Sequence, residues 1–91
     1  MNVTKPSCAG TLESSDVFVE VQPCTDGLSI DIESVVLLQF GPSLQETVRN
    51  VLRNNNVTQA RIKLKDRGAL DCTVRARVET ALVRAAEEVA T

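Results

Sequence analysis

Four short segments of the sequence alternate between apolar and polar side chains. Val17, Val19 and Val21 define the first and Leu28, Ile30 and Ile32 the second, and similar runs start at Ala60 and at Leu70. A period of two places successive side chains on opposite faces of a strand, so each segment predicts a strand that buries one face. The chain is therefore predicted to contain a small sheet.

Two short connections predict how neighbouring strands are joined. Pro23 to Gly27 separates the first two alternating segments and is a typical hairpin loop, with Gly27 available for positive φ. Asp66-Arg67-Gly68 follows the strand over 60–65 and predicts a second hairpin turn, with Gly68 in the left-handed conformation. Both hairpins make the predicted sheet antiparallel.

The segment after Gly68 has a competing interpretation. Leu70, Val74, Val78 and Leu82 recur every fourth residue, which is also the spacing of a single helix from Ala69 onward. The hairpin favoured by Gly68 implies a strand over 70–77, followed by a helix over about 78–90. That helix would bury one stripe of residues: Val78, Ala81, Leu82, Ala85 and Val89.

Residues 34–40 are apolar on both faces and fit two structures. They either continue the second strand or form a short helix capped by Ser34, and the unbroken register from Leu28 favours the strand. Gly41-Pro42-Ser43 then predicts a helix start, with Ser43 as the cap and Glu46 three residues later. The stripe of this helix is Leu44, Val48, Val51 and Leu52, and Asn54-Asn55-Asn56 ends it.

The resulting element order is ββαββα, which is an α+β fold with a small antiparallel sheet covered by two helices. Residues 1–16 contain Pro6, Gly10 and small polar side chains without a sustained period. They are interpreted as a flexible N-terminal arm, and residues 17–91 as a single α+β domain.

Composition excludes several functions. The sequence has no His, Trp or Tyr, so a Ser-His-Asp nucleophile is excluded. The net charge of -2 and the pI near 5.0 argue against nucleic acid or an anionic membrane as a partner.

Three cysteines without C-x-x-C spacing, and no His, make a metal site unexpected. Cys72 is predicted to be core, whereas Cys8 and Cys24 lie in loop-like surroundings. No signal sequence or membrane-length apolar run is recognised, so a cytoplasmic location is expected.

Two features remain as candidate sites. Ser14 and Ser15 carry adjacent hydroxyls before the first strand, and either is a linker or capping residue or a site that another enzyme modifies. The second candidate is a set of basic residues: Arg61, Lys63, Lys65, Arg75 and Arg77. In the predicted hairpin these side chains share one face, which could dock an acidic partner or contact a phosphate.

Three separated blocks carry a resemblance to a known family. They are Gly10-Thr11-Leu12-Glu13-Ser14-Ser15-Asp16, Gln39-Phe40-Gly41, and Asp66 to Cys72 with Arg75-Ala76-Arg77. In this order and spacing they resemble the acyl carrier protein, or gamma subunit, of citrate lyase. Glu33-Ser34-Val35 is similar to the attachment motif of ordinary phosphopantetheine carriers, but its Glu and its position at a strand end argue against Ser34 as the site.

The resemblance implies a role for Ser14. It would carry 2'-(5''-phosphoribosyl)-3'-dephospho-CoA through a phosphodiester, with Ser15 and Asp16 as flanking residues of the motif. The thiol of that group would present acetyl and citryl thioesters to the alpha and beta subunits of citrate lyase, which cleave citrate to acetate and oxaloacetate. A prosthetic-group transferase would load it, and the chain itself would not be catalytic.

Two alternatives stay open at this point. One is an unmodified interaction module that docks through the basic strand face. The other is a carrier subunit of a related lyase or decarboxylase complex. A Ser14→Ala substitution separates the first alternative from a carrier, because only a carrier needs that hydroxyl.

Overall fold

A computed structural model describes residues 1–35 and 37–86, with the side chains of residues 37–41 left out of the description. Its elements run in the order βββαβα. The strands are β1 (Ser7–Gly10), β2 (Val17–Gln22), β3 (Leu28–Ser34) and β4 (Ala60–Asp66). The helices are α1 (Leu37–Asn54), between β3 and β4, and α2 (Asp71–Ala86), after β4.

The four strands form one mixed sheet in the order β1-β2-β4-β3. β2 pairs antiparallel with both β1 and β4, whereas β3 runs parallel to β4. β4 is therefore central, and its alternation decides which face is buried. Ala60, Ile62 and Leu64 are inaccessible to solvent, whereas Arg61, Lys63 and Lys65 are exposed.

Both helices contribute an apolar stripe to the core. The predicted stripe of α1 is confirmed, since Leu44, Val48, Val51 and Leu52 are buried. α2 packs against β1, β2 and α1, and α1 also packs against β3. The buried residues of α2 are Val74, Val78, Ala81, Leu82 and Ala85, which confirms the predicted inward set; Val89 lies outside the described residues.

The end of α1 is a Schellman motif, in agreement with the predicted stop in the asparagine run. Asn56 has a φ of 55°, its amide donates to the Arg53 carbonyl at 3.1 Å, and the Val57 amide donates to the Leu52 carbonyl at 2.9 Å. An Asn tolerates the left-handed conformation that this motif requires. The helix therefore ends where the sequence changes to asparagine.

Within residues 1–35 and 37–86, the α+β class and the two helices are confirmed, but the order ββαββα and the purely antiparallel sheet are wrong. β2 and β3 do not pair with each other, so Pro23 to Gly27 is not a hairpin loop. Instead, α1 connects β3 to β4 as a parallel crossover, a connection for which a helix supplies the necessary length. Alternation reveals a half-buried strand but not the direction of its neighbour.

The predicted strand through residues 34–40 is also wrong. β3 ends at Ser34 and α1 begins at Leu37, so Ser43 lies inside the helix and is not its cap. Pro42 lies one and a half turns into α1, where its missing N–H removes one helical hydrogen bond. An apolar run on both faces does not distinguish a buried strand from a helix. Val36, which belonged to this predicted strand, lies outside the described residues.

The predicted strand over 70–77 is a third correction, because the competing helix is the correct interpretation: α2 begins at Asp71. Gly68 does have a positive φ of 92°, but it redirects the chain from β4 into a helix. Val74 and Val78 are four residues apart and both are buried, which is the helical period and not the period of two of a strand. Cys72 is consequently exposed on α2, in contrast to the core position predicted for it.

Part of the N-terminal segment is regular. Ser7–Gly10 forms β1 at the edge of the sheet, and the amides of Thr4 and Lys5 donate to the Ala85 carbonyl of α2 at 3.0 and 3.1 Å. A short edge strand with small side chains has too little alternation to be recognised in sequence. Of the predicted arm over 1–16, residues 11–16 form the loop between β1 and β2.

Neither helix in the described part of the chain is long and apolar enough to cross a membrane. Among the same residues, no three His, Cys, Asp or Glu side chains are grouped to hold a metal ion.

Candidate functional site: a clamped turn that presents Ser14

Ser14 lies at the corner of a tight turn between β1 and β2. The Asp16 amide donates to the Glu13 carbonyl at 3.1 Å, which closes a four-residue turn with Ser14 and Ser15 at its centre. Ser15 has a φ of 65° and Ser14 does not have a positive φ, a combination typical of a type II turn. Both serines are exposed. Within the described residues the Ser14 hydroxyl makes no hydrogen bond, so it is available to an external reagent.

Asp16 anchors this turn through both of its carboxylate oxygens. The Thr11 hydroxyl donates to Oδ2 at 2.7 Å, and the Val17 amide donates to Oδ1 at 2.8 Å. The Arg77 guanidinium of α2 donates to both oxygens, at 3.2 and 3.0 Å, in the forked geometry that makes Arg–carboxylate pairs strong. These bonds join the two ends of the loop to each other and to the helix behind it.

These contacts lower the pKa of Asp16. The hydrogen bond from Thr11, then those from Arg77 and Val17, lower the pKa of this carboxyl from the ordinary 3.8 to about 2, against an opposing effect of burial. Its side chain is only 15% exposed. Asp16 is therefore ionised at neutral pH, and Arg77 balances its charge beside Ser14.

Gly10 allows the loop to close against the sheet. Its φ is 92°, and a Cβ at this position would lie 1.8 Å from the Val17 carbonyl oxygen and 3.3 Å from Cδ of Arg77. The first distance is well inside van der Waals contact, so a side chain at residue 10 is incompatible with the observed backbone. The glycine at the start of the first sequence block is thus required by packing.

The backbone of Arg67 ties the turn to the β4–α2 connection. The Arg67 amide donates to the Asp16 carbonyl at 2.9 Å, and the Ser15 amide donates to the Arg67 carbonyl at 2.8 Å. These bonds continue the β2–β4 pairing beyond its last register pair, Val17 and Asp66. The first and third blocks of the sequence resemblance therefore lie against each other, although some fifty residues separate them.

Ser34, the other serine considered as an attachment site, has a structural position. It is the last residue of β3, and its hydroxyl donates at 2.8 Å to Oδ2 of Asp66, which is 1% exposed. The other oxygen of Asp66 accepts the Ala69 amide at 3.0 Å. The Ser34 hydroxyl thus helps to satisfy a buried carboxylate that shapes the β4–α2 connection.

The basic residues do not share one face, which corrects the prediction from the hairpin. Arg75 and Arg77 are on α2, whereas Arg61, Lys63 and Lys65 are on the sheet face opposite the helices. By register, Lys63 lies between Glu20 and Asp31, and Lys65 has Glu33 as its neighbour on β3. All three acidic side chains thus lie beside Lys63 and Lys65, whereas Arg61 has Gln22 and Ser29 as its neighbours. Three acidic and three basic side chains leave this face without the net positive charge that docking of an acidic partner would need.

The sequence motif contains Ser14 and Asp16 but gives no sign of the contact that holds Asp16. The predicted hairpin places Arg77 on a strand face, and its partner Asp16 is 61 residues away. No periodic or local signal connects two such positions. The proximity of Gly10 to the Arg77 side chain also depends on the tertiary fold alone.

Comparisons with known proteins show which family the chain resembles. The family model described as ACP, the malonate decarboxylase delta subunit (MdcD), matches residues 4–85. The citrate lyase acyl carrier protein of Haemophilus influenzae strain PittEE is 52% identical over 88 residues, which cover 97% of this chain and 92% of that protein. The corresponding protein of Rhodopseudomonas palustris strain BisA53 is 44% identical over 88 residues, with coverage of 97% and 91%.

A solved structure shares the fold. A chain in the crystal structure of a Pseudomonas malonate decarboxylase hetero-tetramer in complex with malonate superimposes with a TM-score of 0.72. The superposition covers 92% of this chain and 91% of that chain, at 23% sequence identity.

Fold and sequence similarity together define a non-catalytic acyl carrier protein. The chain belongs to the family that contains the malonate decarboxylase delta subunit and the citrate lyase acyl carrier proteins.

Proposed function

We propose that the chain is the acyl carrier subunit of citrate lyase and that Ser14 holds its prosthetic group. The observation that carries the citrate assignment is the 52% identity to a citrate lyase acyl carrier protein over 97% of the chain. Similarity to the malonate decarboxylase chain, at 23% identity, extends to the fold only. The expected location of such a subunit is the cytoplasm.

The chemistry at Ser14 favours attachment of a group over catalysis. Its hydroxyl is exposed on a turn, and no His exists in the chain to activate it as a nucleophile. The Ser14 oxygen would form the new O–P bond of a phosphodiester with an activated polyphosphate donor. As that bond forms, the bond from the same phosphorus to the next phosphate of the donor would break, and the remaining phosphates would leave. The hydroxyl proton would pass to a base that the transferase supplies.

The residues around Ser14 suit a group that bears a phosphodiester. Arg77 balances the charge of Asp16. The exposed Arg67, whose backbone is hydrogen-bonded to Ser15 and Asp16, adds a second cation to offset the exposed Glu13 side chain and a further negative charge. The group proposed is 2'-(5''-phosphoribosyl)-3'-dephospho-CoA, which would supply the thiol that carries acetyl and citryl groups as thioesters. The side chains of this domain contribute attachment and presentation.

The clamped turn gives the carrier a defined origin for its tether. Because the bonds of Asp16 join both ends of the loop to each other and to α2, we expect the attached group, and not the loop, to supply the reach. A tethered reactive end reaches nearby active sites at an effective concentration of about millimolar for a short flexible linker. We propose that those active sites lie on the alpha and beta subunits of citrate lyase.

Mass spectrometry of the chain from its native host tests the attachment. Cleavage after glutamate isolates residues 14–20, which contain both candidate serines, and fragmentation between Ser14 and Ser15 assigns the added mass. Ser15→Ala is the matched control for Ser14→Ala, because both serines are exposed in the same turn. We expect Ser15→Ala to be loaded and Ser14→Ala to stay unmodified.

Other results would contradict specific parts of the proposal. Loading at Ser15 or Ser34 would refute the site, and a phosphopantetheine group without the ribosyl extension would refute the prosthetic group. The carrier subunit of a malonate decarboxylase is the second candidate, because the matching family model bears that description. Reconstitution of the loaded chain with the catalytic subunits of each complex decides between citrate cleavage and malonate decarboxylation.

A further inference from the structure

Large exposed apolar side chains gather at the end of the sheet where Ser14 lies. Val17 pairs with Asp66, and Asp66 with Ser34, so the loop before β2, the connection after β4 and the residue after β3 all emerge at that end. Each of these segments exposes one apolar side chain: Leu12 at 52%, Val35 at 63% and Leu70 at 72%. We call these three residues the apolar rim.

A groove lies within reach of the rim. It has a volume of about 340 Å³ and lies between the first half of α1 and the β4–α2 connection. Its lining includes Leu44, Ala69 and Leu70, together with Gly68 and Asp66. The groove adjoins the Ser14 turn through Arg67: two lining residues, Asp66 and Gly68, flank it in sequence, and its backbone is hydrogen-bonded to both Ser15 and Asp16.

Both carboxyl groups of the groove already have partners. Asp66 accepts hydrogen bonds from Ser34 and Ala69, and Asp71 accepts them from the Thr47 hydroxyl and from Arg75. The Thr47 bond, followed by the Arg75 bond, lowers the pKa of Asp71. Apart from the exposed Ser43 hydroxyl, the groove therefore offers an occupant apolar surface, and removal of that surface from water is favourable.

The position of the rim selects one kind of partner. An enzyme that transfers a group to Ser14 must bring its catalytic residues to the Ser14 oxygen, and a specific interface covers about 800 Å² on each protein. Strand ends lie about 5 Å apart, so the ends of β2, β4 and β3 fit within such a footprint. Enzymes that act on the far end of a long tether do not have to cover the turn.

Resting on the function proposed above, we infer that the apolar rim and its groove form the docking surface for the transferase that loads Ser14. The transferase places an apolar anchor side chain in the groove beside Leu70, and Val35 and Leu12 complete the contact. Buried apolar anchors of this kind usually dominate the binding energy of an interface.

Loading kinetics test the surface with matched variants. Unmodified chain is titrated against purified transferase and its donor, and the initial rate of mass addition at Ser14 is measured for Leu70→Ser and Val35→Ser. Leu28→Ser and Val83→Ser are the controls, because these residues are 42% and 55% exposed and lie at the other end of β3 and on α2. Far-UV circular dichroism and thermal melts verify that every variant is folded.

We expect the KM for the carrier to rise about tenfold for Leu70→Ser and several-fold for Val35→Ser, with kcat unchanged. A tenfold rise in KM is the size expected for loss of one apolar anchor. The controls should load like the parent chain. A binding titration with Ser14→Ala as the background, which cannot react, should show the same loss of affinity. Equal losses in the controls, or a fall in kcat alone, would refute the inference.

A second measurement separates the transferase from the catalytic subunits. Leu70→Ser is loaded fully with excess transferase and then assayed for citrate cleavage with the alpha and beta subunits, where we expect activity equal to the parent chain. Normal loading with impaired cleavage would assign the rim to those subunits and overturn the inference. A parent chain that is never loaded at Ser14 would instead refute the proposed function.

Discussion

The ion pair between Asp16 and Arg77 is expected to stabilise the fold in a pH-dependent manner. Arg77→Met removes the charge and both hydrogen bonds but keeps an unbranched apolar side chain and a similar helix propensity. The reduction of the Asp16 pKa from 3.8 to about 2 corresponds to ~2 kcal/mol for all of its causes together, at about 1.4 kcal/mol per unit.

The share of Arg77 is smaller than this total. The Thr11 hydrogen bond is the largest cause, and the Arg77 side chain is 40% exposed, so water screens part of the interaction. We therefore expect Arg77→Met to lower the free energy of unfolding at pH 7 by ~1 kcal/mol. For a domain of this size such a loss lowers Tm by about 4–8 °C.

The pH dependence follows from the direction of the shift. Because the folded-state pKa is lowered, the stabilisation is fully present above the unfolded value of 3.8 and is lost as pH falls through about 2. The difference between Arg77→Met and the parent chain should thus be constant from pH 7 to about 5. It should shrink between about pH 4 and pH 2.

Urea denaturation followed by circular dichroism measures this difference at each pH. Arg75→Met is the matched control: it lies on the same helix, and its pair with Asp71 is more exposed, at 44% and 59%. An exposed i,i+4 pair contributes about 0.5 kcal/mol or less. The reasoning is refuted if both variants lose the same stability at pH 7, or if the effect of Arg77→Met does not change below pH 4.

The remaining predictions concern single positions and are all measurable by urea denaturation at neutral pH. Gly10→Ala should cost more than about 3 kcal/mol, because its Cβ would overlap the Val17 carbonyl oxygen. Gly68→Ala, with the same φ of 92° but open space around the Cβ, should cost only about 1–2 kcal/mol; equal losses would contradict the steric argument. Asp66→Ala should cost about 2–3 kcal/mol by leaving the Ser34 hydroxyl and the Ala69 amide without this acceptor. Cys72→Ser should change stability by less than about 0.5 kcal/mol, and a larger loss would show that the thiol is packed.

The core of this fold could largely be predicted from sequence, because the buried face of a strand or helix sets the spacing of its apolar residues. The alternation of Ala60, Ile62 and Leu64 identifies β4, and the spacing from Leu44 to Leu52 identifies the buried face of α1. The direction of a strand and the identity of its neighbour in the sheet do not follow from this periodicity. The alternation of apolar and polar residues in β3 predicts neither its register nor its parallel pairing with β4.

The candidate site shows the same division. Ser14 and its flanking residues stand out in sequence because they form a local motif. The contacts that hold the turn come from Arg67 and Arg77, which approach only when β4 and α2 are in place. Residues 70–77 satisfy both the strand and the helix period, so the position of Arg77 could not be decided before packing against β1 and β2 was known.

The central position of β4 also affects how the protein assembles during synthesis. β2 and β3 each use β4 as a neighbour, although β4 is the last strand to leave the ribosome. A nascent chain that ends before residue 60 can form the β1–β2 hairpin, but β3 has no strand in the sheet to join. Loop-closure entropy makes such distant pairings slow to form. The sheet is therefore expected to complete only after translation has passed Asp66, and the Ser14 turn acquires its anchor on Arg77 later still.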